Sequence, residues 1–257
     1  MSAAIIADGV GKSYGAIPAL KSATFRVEAG QVFAIIGPNG AGKTTLFKAL
    51  TGEVLPDRGT VHFGAADVTK LPAHQRAARG FGRTFQVARV FLNSTALENV
   101  IVAVDSRLRT AGQSLGRWYE FHPSAEVVAE AEQALASIGL GGKRDVEARY
   151  LSHGDKKRLE MALTLALRPA VLMLDEPTAG MSPSDRQQTV ELLVKIRKET
   201  GATMLLTEHD MDVVFGLADR VMVLNYGEVV AIGTPDEIRA NTAVRELYLG
   251  EEVDHHA

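Results

Sequence analysis

An α/β fold, with a mostly parallel sheet covered by helices and a helical lobe inserted in it, is predicted by three observations. A short apolar run feeds a glycine-rich turn and a helix; further apolar runs alternate with helical patterns; and a long stretch between them is helical with few strands. The first run is Gln31 to Ile36, followed by a helix-like stretch from Lys43 to Leu50, and a shorter β-like run, Thr24 to Val27, precedes it. The later runs are Val171 to Leu174, Thr203 to Thr207 and Arg220 to Leu224, with helical patterns at Ser184 to Thr200 and Asp210 to Leu217. Strands that are apolar throughout and joined through helices belong in a parallel sheet buried on both faces. The inserted lobe runs from roughly Ala96 to Leu167, broken by GlyGln and GlyGly, with Phe81 to Phe85 as a possible strand ahead of it. Within it, Thr110 to Phe121 carries Gly112, Gly116, Trp118 and Tyr119 and reads as a loop or short helices.

The 257 residues, 46% of them hydrophobic, suffice for one large domain with a substantial core. With 28 Lys and Arg against 31 Asp and Glu, the net charge of −3 gives no general attraction to nucleic acid or to an anionic membrane surface. The absence of Cys excludes disulfides, thiolate metal sites and Cys nucleophiles together. The longest apolar stretch, Met161 to Leu174, is interrupted by Arg168 and Pro169 and is too short for a membrane-crossing helix. The start of the chain has no basic leader, so a cytoplasmic location is expected, and the tail after Gly250 is expected to fray.

Gly37-Pro38-Asn39-Gly40-Ala41-Gly42-Lys43-Thr44 fits the G-x-x-x-x-G-K-[ST] loop, whose glycines let consecutive backbone N–H groups converge on phosphate oxygens. In such P-loop NTPases, Lys43 meets the β- and γ-phosphates and Thr44 ligates Mg²⁺, and the start of the helix adds its positive end. Val171 to Leu174 ends in Asp175 and Glu176, which puts two carboxylates at the C-terminal end of a strand, where open α/β sheets bind ligands. Alone, such a pair is more often a solvated strand end. Beside the glycine-rich loop, Asp175 reads as a Mg²⁺ holder, directly or through water, and Glu176 as the group that polarises the attacking water. Leu151-Ser152-His153-Gly154-Asp155 precedes a helix-like run from Lys156 to Leu167, with Ser152 placed as its cap and Gly154 open to close backbone approach.

In this order, the three motifs resemble the ABC ATPase family, in which the LSGGQ segment, here Ser152, His153, Gly154 and Asp155, closes over the nucleotide of the opposite subunit. The resemblance covers nearly the whole chain. It implies a single ATPase domain over 1–257: a P-loop NTPase (RecA-like) core, an antiparallel β region, and a helical subdomain at about 87–165. It also implies that Tyr14 stacks on adenine, that Thr45 joins the nucleotide-binding loop, and that Gln86 senses γ-phosphate, Mg²⁺ and the membrane partner. His209, in Thr207-Glu208-His209-Asp210, matches the switch histidine at the γ-phosphate. Glu176, His209 and Gln86 thus form the implied catalytic set, and Thr44, Gln86 and Asp175 the implied Mg²⁺ set, with ATP and Mg²⁺ as cofactors. The remaining histidines, His62, His74, His122, His255 and His256, have no ligand-like spacing.

Three positions depart from the family pattern: His153 stands where glycine is common, Asp155 where glutamine is common, and Ser182 where aspartate is often found. The LSHG spelling and the ending Leu247-Tyr248-Leu249-Gly250-Glu251-Glu252 look most like the importers of branched-chain or other hydrophobic amino acids. Importers of urea or amides and exporters of lipopolysaccharide or lipid look similar. The implied partners are a second ATPase subunit, transmembrane permease subunits and a periplasmic or extracellular solute-binding protein, with the chain peripheral on the inner face of the membrane and no nucleic acid bound. A non-transport ABC ATPase would carry a second ATPase domain or large nucleic-acid-binding insertions, and a module that merely holds ATP would lack Glu176 or His209.

Overall fold

A computed structural model describes residues 3–84, 89–112 and 123–247. Its strands are β1 (Ala3–Tyr14), β2 (Ile17–Glu28), β3 (Val32–Ile36), β4 (Arg58–Phe63), β5 (Ala66–Asp67), β6 (Phe81–Arg83), β7 (Val171–Asp175), β8 (Thr203–Thr207), β9 (Arg220–Asn225) and β10 (Glu228–Gly233). They lie in the order β5-β4-β1-β2-β10-β9-β3-β8-β7-β6. The half from β9 to β6 is parallel throughout, and β3, β7 and β8 are buried at every residue, as continuous apolar runs require. β1, β2, β4 and β5 pair antiparallel as a second region, which meets the first where β10 pairs parallel with β2 at Glu228 and Ser22.

The helices are α1 (Lys43–Thr51), α2 (Ala73–Ala77), α3 (Ala96–Thr110), α4 (Ala125–Ser137), α5 (His153–Ala166), α6 (Pro183–Thr200), α7 (Met211–Leu217) and α8 (Pro235–Ala240). Their starts are set by side chains that accept from backbone N–H groups: Thr95 in a full capping box for α3, Ser124 for α4, Ser152 for α5, Ser182 for α6 and Asp210 for α7. Asp210, read from the sequence as the first helical residue, is thus the cap. The shorter β-like run at Thr24 to Val27 is only the end of β2, which pairs with β1 through a two-residue turn at Gly15 and Ala16. The stretch around Trp118 and the tail after Leu247 lie outside the described residues.

Three hydrophobic clusters divide the interior. One packs α1, through Leu46, Phe47 and Leu50, between the antiparallel region and one face of the sheet. A second covers the opposite face with Leu193 and Ile196 of α6 and Val213, Val214 and Leu217 of α7. The third lies among α3, α4 and α5, around Val100, Val104, Ala131, Leu135 and Leu159.

A buried cation ties the antiparallel region to α1. Arg76, on α2, has no exposed surface, and it donates to the carbonyls of Ala49 (2.8 Å), Leu50 (2.6 Å), Thr69 (2.9 Å) and Leu71 (2.9 Å). Burial lowers its pKa to about 10, so it is still charged at neutral pH. Two of those carbonyls belong to the last turn of α1, where helix carbonyls lack partners of their own and the dipole favours a cation. Gly52 closes that turn with φ of 78°, and a Cβ there would stand 2.7 Å from both Arg76 Nε and the Leu71 oxygen.

Candidate nucleotide site

The glycine-rich loop joins the C-terminal end of β3 to α1. At Gly37, φ is 150° and a Cβ would stand 2.1 Å from the Leu224 carbonyl, so no other residue fits without moving β9. Gly42, with φ of 104°, occupies the N-cap of α1, and no side chain caps that end. The positive end of α1 is therefore left to whatever enters from the loop side. Lys43 is buried and folds its ammonium back on the loop, donating to the Gly37 carbonyl and, at 3.0 Å, to the Pro38 carbonyl. Gly227 N–H donates to the Ala41 carbonyl at 2.9 Å and holds the loop against the turn between β9 and β10.

A cleft of about 300 Å³ opens on this loop, with Tyr14 at its rim and Glu176 and His209 facing Asn39 to Thr45. That is within the range of small-molecule sites. Tyr14 is half exposed at the end of β1, so its ring can receive a flat group without losing core packing. His209 Nε2 lies 2.7 Å from Glu176 Oε1. Glu176 has a left-handed backbone, φ 49°, which costs a residue with a Cβ about 1–3 kcal/mol. Its N–H donates to both the carbonyl and the hydroxyl of Thr207, each at 3.1 Å.

Asp175 sits one residue back. Its Oδ1 accepts from Thr207 Oγ1 at 2.8 Å and its Oδ2 from the Arg83 guanidinium at 3.1 Å. Arg83 also bonds Glu53, and burial pushes its pKa down against the pull of Asp175. With both oxygens engaged by the protein, Asp175 suits a cation held through water, the habit of Mg²⁺.

The site residues read from the sequence thus fall into three groups. Tyr14, Asn39, Gly40, Ala41, Gly42, Lys43, Thr44, Thr45, Glu176 and His209 line one cleft, with Gly37, Pro38 and Asp175 directly behind it. Ser152, His153, Gly154 and Asp155 form no part of that cleft and stand at the start of α5. Gln86 lies outside the described residues. The three departures are accommodated locally. Burial opposes the charge of Asp155, yet hydrogen bonds from Lys143 (2.5 Å) and Ser152 hold its carboxyl below the usual range. His153 Nε2 comes within 3.7 Å of a Cβ placed on Gly180, and Ser182 caps α6 by accepting from the Asp185 N–H at 3.2 Å.

Some residues at the site were not singled out in the sequence: Thr207 and Arg83 on Asp175, Lys157 beneath Glu176, and Glu208, buried with its Oε1 on the Thr178 N–H at 2.9 Å. Glu208 and Thr207 were inside a quoted motif, but nothing in spacing alone marks a polar side chain that points inward.

The profile of the ABC transporter family matches residues 20–179, from β2 through the loop that follows Glu176. The chain belongs to the ABC transporter family. A second profile, described as branched-chain amino acid ATP-binding cassette transporter, matches residues 228–254 of this ABC cassette. The high-affinity branched-chain amino acid transport ATP-binding protein LivG of Salmonella typhimurium is 39% identical over 246 residues, covering 95% of this chain and 96% of LivG. The lipopolysaccharide export system ATP-binding protein LptB of Acidithiobacillus ferridurans is 32% identical, covering 98% of this chain and 99% of its own length. Among solved structures, an ATP-binding cassette of an ABC transporter in its ADP conformation superposes with a TM-score of 0.85 at 28% identity, over 97% of this chain and all of that one. As a member of this family the cassette binds nucleotide and is an ATPase coupled to transport. No helix among the described residues is long and apolar enough to cross a membrane.

Proposed function

We propose that this cassette hydrolyses ATP to drive import of branched-chain amino acids through separate membrane subunits. The observation that carries the solute class is the agreement of the C-terminal profile with the whole-chain likeness to LivG. The C-terminal profile names this transporter group over residues 228–254, and the likeness to LivG extends over 95% of the chain at 39% identity, against 32% for the lipopolysaccharide exporter subunit. No residue here touches the solute, so the test belongs to the assembled transporter. Vesicles carrying the cassette with its membrane subunits should accumulate leucine, isoleucine or valine only when ATP is present. Uptake of urea, or export of lipid, with no response to these amino acids would rule the reading out.

The chemistry is assigned to the cleft. The uncapped start of α1 and the Lys43 ammonium bind the phosphates; Thr44 and Asp175, with Gln86, would hold Mg²⁺, which would supply positive charge against the triphosphate. Glu176 takes the proton of the attacking water, and His209, within hydrogen-bond distance of it, keeps its carboxylate aimed at the phosphate and meets the γ-phosphate. The Ser152–Asp155 segment, away from its own cleft, is supplied to the nucleotide of a second ATPase subunit. This arrangement requires a dimer, of identical or related cassettes, around two MgATP.

The surface for the permease is the stretch around Gln86 to Asn93, ahead of α3, with Val87, Val90, Phe91 and Leu92 beside Arg89, of which Gln86 to Ala88 lie outside the described residues. Phe91 and Leu92 are exposed there although both are large and apolar. Asn99 fixes that loop, accepting from the Phe91 N–H at 2.7 Å and donating to its carbonyl at 3.0 Å. A solute-binding protein acts on the far side of the permease.

Tyr14→Ala should weaken ATP binding by about 1–3 kcal/mol, the worth of an aromatic under a base. Binding of inorganic triphosphate should stay unchanged. Equal weakening for ATP and triphosphate in calorimetry would remove Tyr14 from the adenine site.

A further inference from the structure

Lys156, Lys157 and Arg158 are consecutive charges near the start of α5, and as successive residues of a helix they point in different directions. The structure separates them. Lys156 is partly exposed, while Lys157 keeps only 7% of its surface and turns inward. Its ammonium donates to the Glu176 carbonyl at 3.0 Å and to the Ala179 carbonyl at 3.1 Å. Burial lowers its pKa, opposed by the charges of Glu208, Glu160, Glu176 and Asp175. An ammonium taken out of water must be hydrogen-bonded or paired, and here two carbonyls of the loop after β7 take that part.

What it holds is the backbone of Glu176. That residue takes a left-handed φ of 49°, which a side chain with a Cβ keeps only when its surroundings over-determine it. Thr207 fixes the peptide on the N–H side, with two contacts at 3.1 Å. Lys157 fixes the carbonyl side, and its second bond, to Ala179, clamps the turn that follows. The carboxylate carried on this clamped residue then meets His209 Nε2 at 2.7 Å.

We propose that Lys157 is a positioning residue for hydrolysis: by gripping the Glu176 carbonyl it fixes the left-handed turn that aims the Glu176 carboxylate into the nucleotide cleft. The inference rests on the reading of Glu176 as general base. Lys157 does not line the nucleotide cleft and bonds the Glu176 and Ala179 carbonyls, so it acts on the chemical step and leaves nucleotide affinity alone.

The experiment measures kcat and KM for ATP, ATP affinity by calorimetry and the melting temperature of the full chain. It compares Lys157→Met, Lys157→Arg, Glu176→Gln and the double variant Lys157→Met/Glu176→Gln. Displacing a reacting group by about 1 Å can cost about 10²-fold, so Lys157→Met should lose kcat by that order with KM and ATP affinity nearly unchanged. Lys157→Arg, which keeps charge and reach, should recover most of the loss, and the double variant should be no slower than Glu176→Gln alone. Wild-type kcat in Lys157→Met, or a double variant slowed by the full Lys157→Met factor, would overturn the proposal while leaving Glu176 as the base. Wild-type hydrolysis by Glu176→Gln would overturn the base reading and this proposal with it. If Lys157→Met melts too low to assay, Lys157→Gln, which keeps one donor, decides: folded and slow supports positioning, folded and fast refutes it.

Discussion

Glu176→Gln is expected to lower ATP turnover by about 10²–10⁴-fold, the usual contribution of a positioned general base, while MgATP still binds. Glutamine keeps the volume and the reach to His209 Nε2, 2.7 Å from Glu176 Oε1, but it cannot take a proton from water. Lys43, Thr44 and Asp175 are untouched, so the phosphates keep their holders. Loss of one negative charge beside each triphosphate also favours the closed state, since the carboxylate no longer repels the nucleotide. A variant saturated with MgATP should therefore accumulate as a closed dimer that wild type reaches only transiently. Phosphate release and light scattering check both halves: hydrolysis at the wild-type rate would remove Glu176 from the base role. A variant that stays monomeric would count against closure by the cassette alone, pointing to a need for its membrane subunits.

Lys43→Ala should act on the other half of the chemistry and abolish tight MgATP binding. Among the described residues its ammonium is the only Lys or Arg group lining the cleft, and it is already inside the loop, on the Gly37 and Pro38 carbonyls. Charge-assisted hydrogen bonds are worth about 1.5–3 kcal/mol each. Losing two, one to each of the outer phosphates, weakens affinity by roughly 10²–10⁴-fold. Calorimetry with ATP measures this directly, and unchanged affinity would refute the assignment. A thermal melt of the free variant separates this effect from loss of the two loop bonds.

The legible parts of the fold were those with a single dominant pattern. β3, β7 and β8 are largely apolar because both faces are covered, and α5 announces itself by Ser152, whereas Ser182 and Asp210, the caps of α6 and α7, were not recognised as caps in the sequence. The antiparallel region was hidden except through the family resemblance. β1 and β2 are 12 residues each, yet the register between them shifts at Ala7/Val10, Val10/Lys12 and Lys12/Ser13, and each shift breaks the two-residue alternation. β5, of two residues, and α2, of five, are too short for any period to show.

The site divides the same way. Gly37 to Thr44, Asp175 and Glu176 could be picked out because the spacing of phosphate-binding glycines and the strand-end acids is chemistry written along the chain, whereas Thr45 and His209 came only through the family resemblance. Lys157, Arg83 and Thr207 were not, because each works through a partner distant in sequence: Glu176 and Ala179 for the first, Asp175 for the other two. A charge that is buried and paired looks, in one dimension, like any other charge.

Arg76 carries a consequence for how the machine moves. Helix α1 is fastened at its far end by that guanidinium, which stitches its last carbonyls to those of Thr69 and Leu71, and at its near end by the Gly227 contact to Ala41 and the close fit of Gly37 under Leu224. A part secured at both ends serves as an anvil. Nucleotide bound at its start therefore meets a helix already tied to both regions of the sheet.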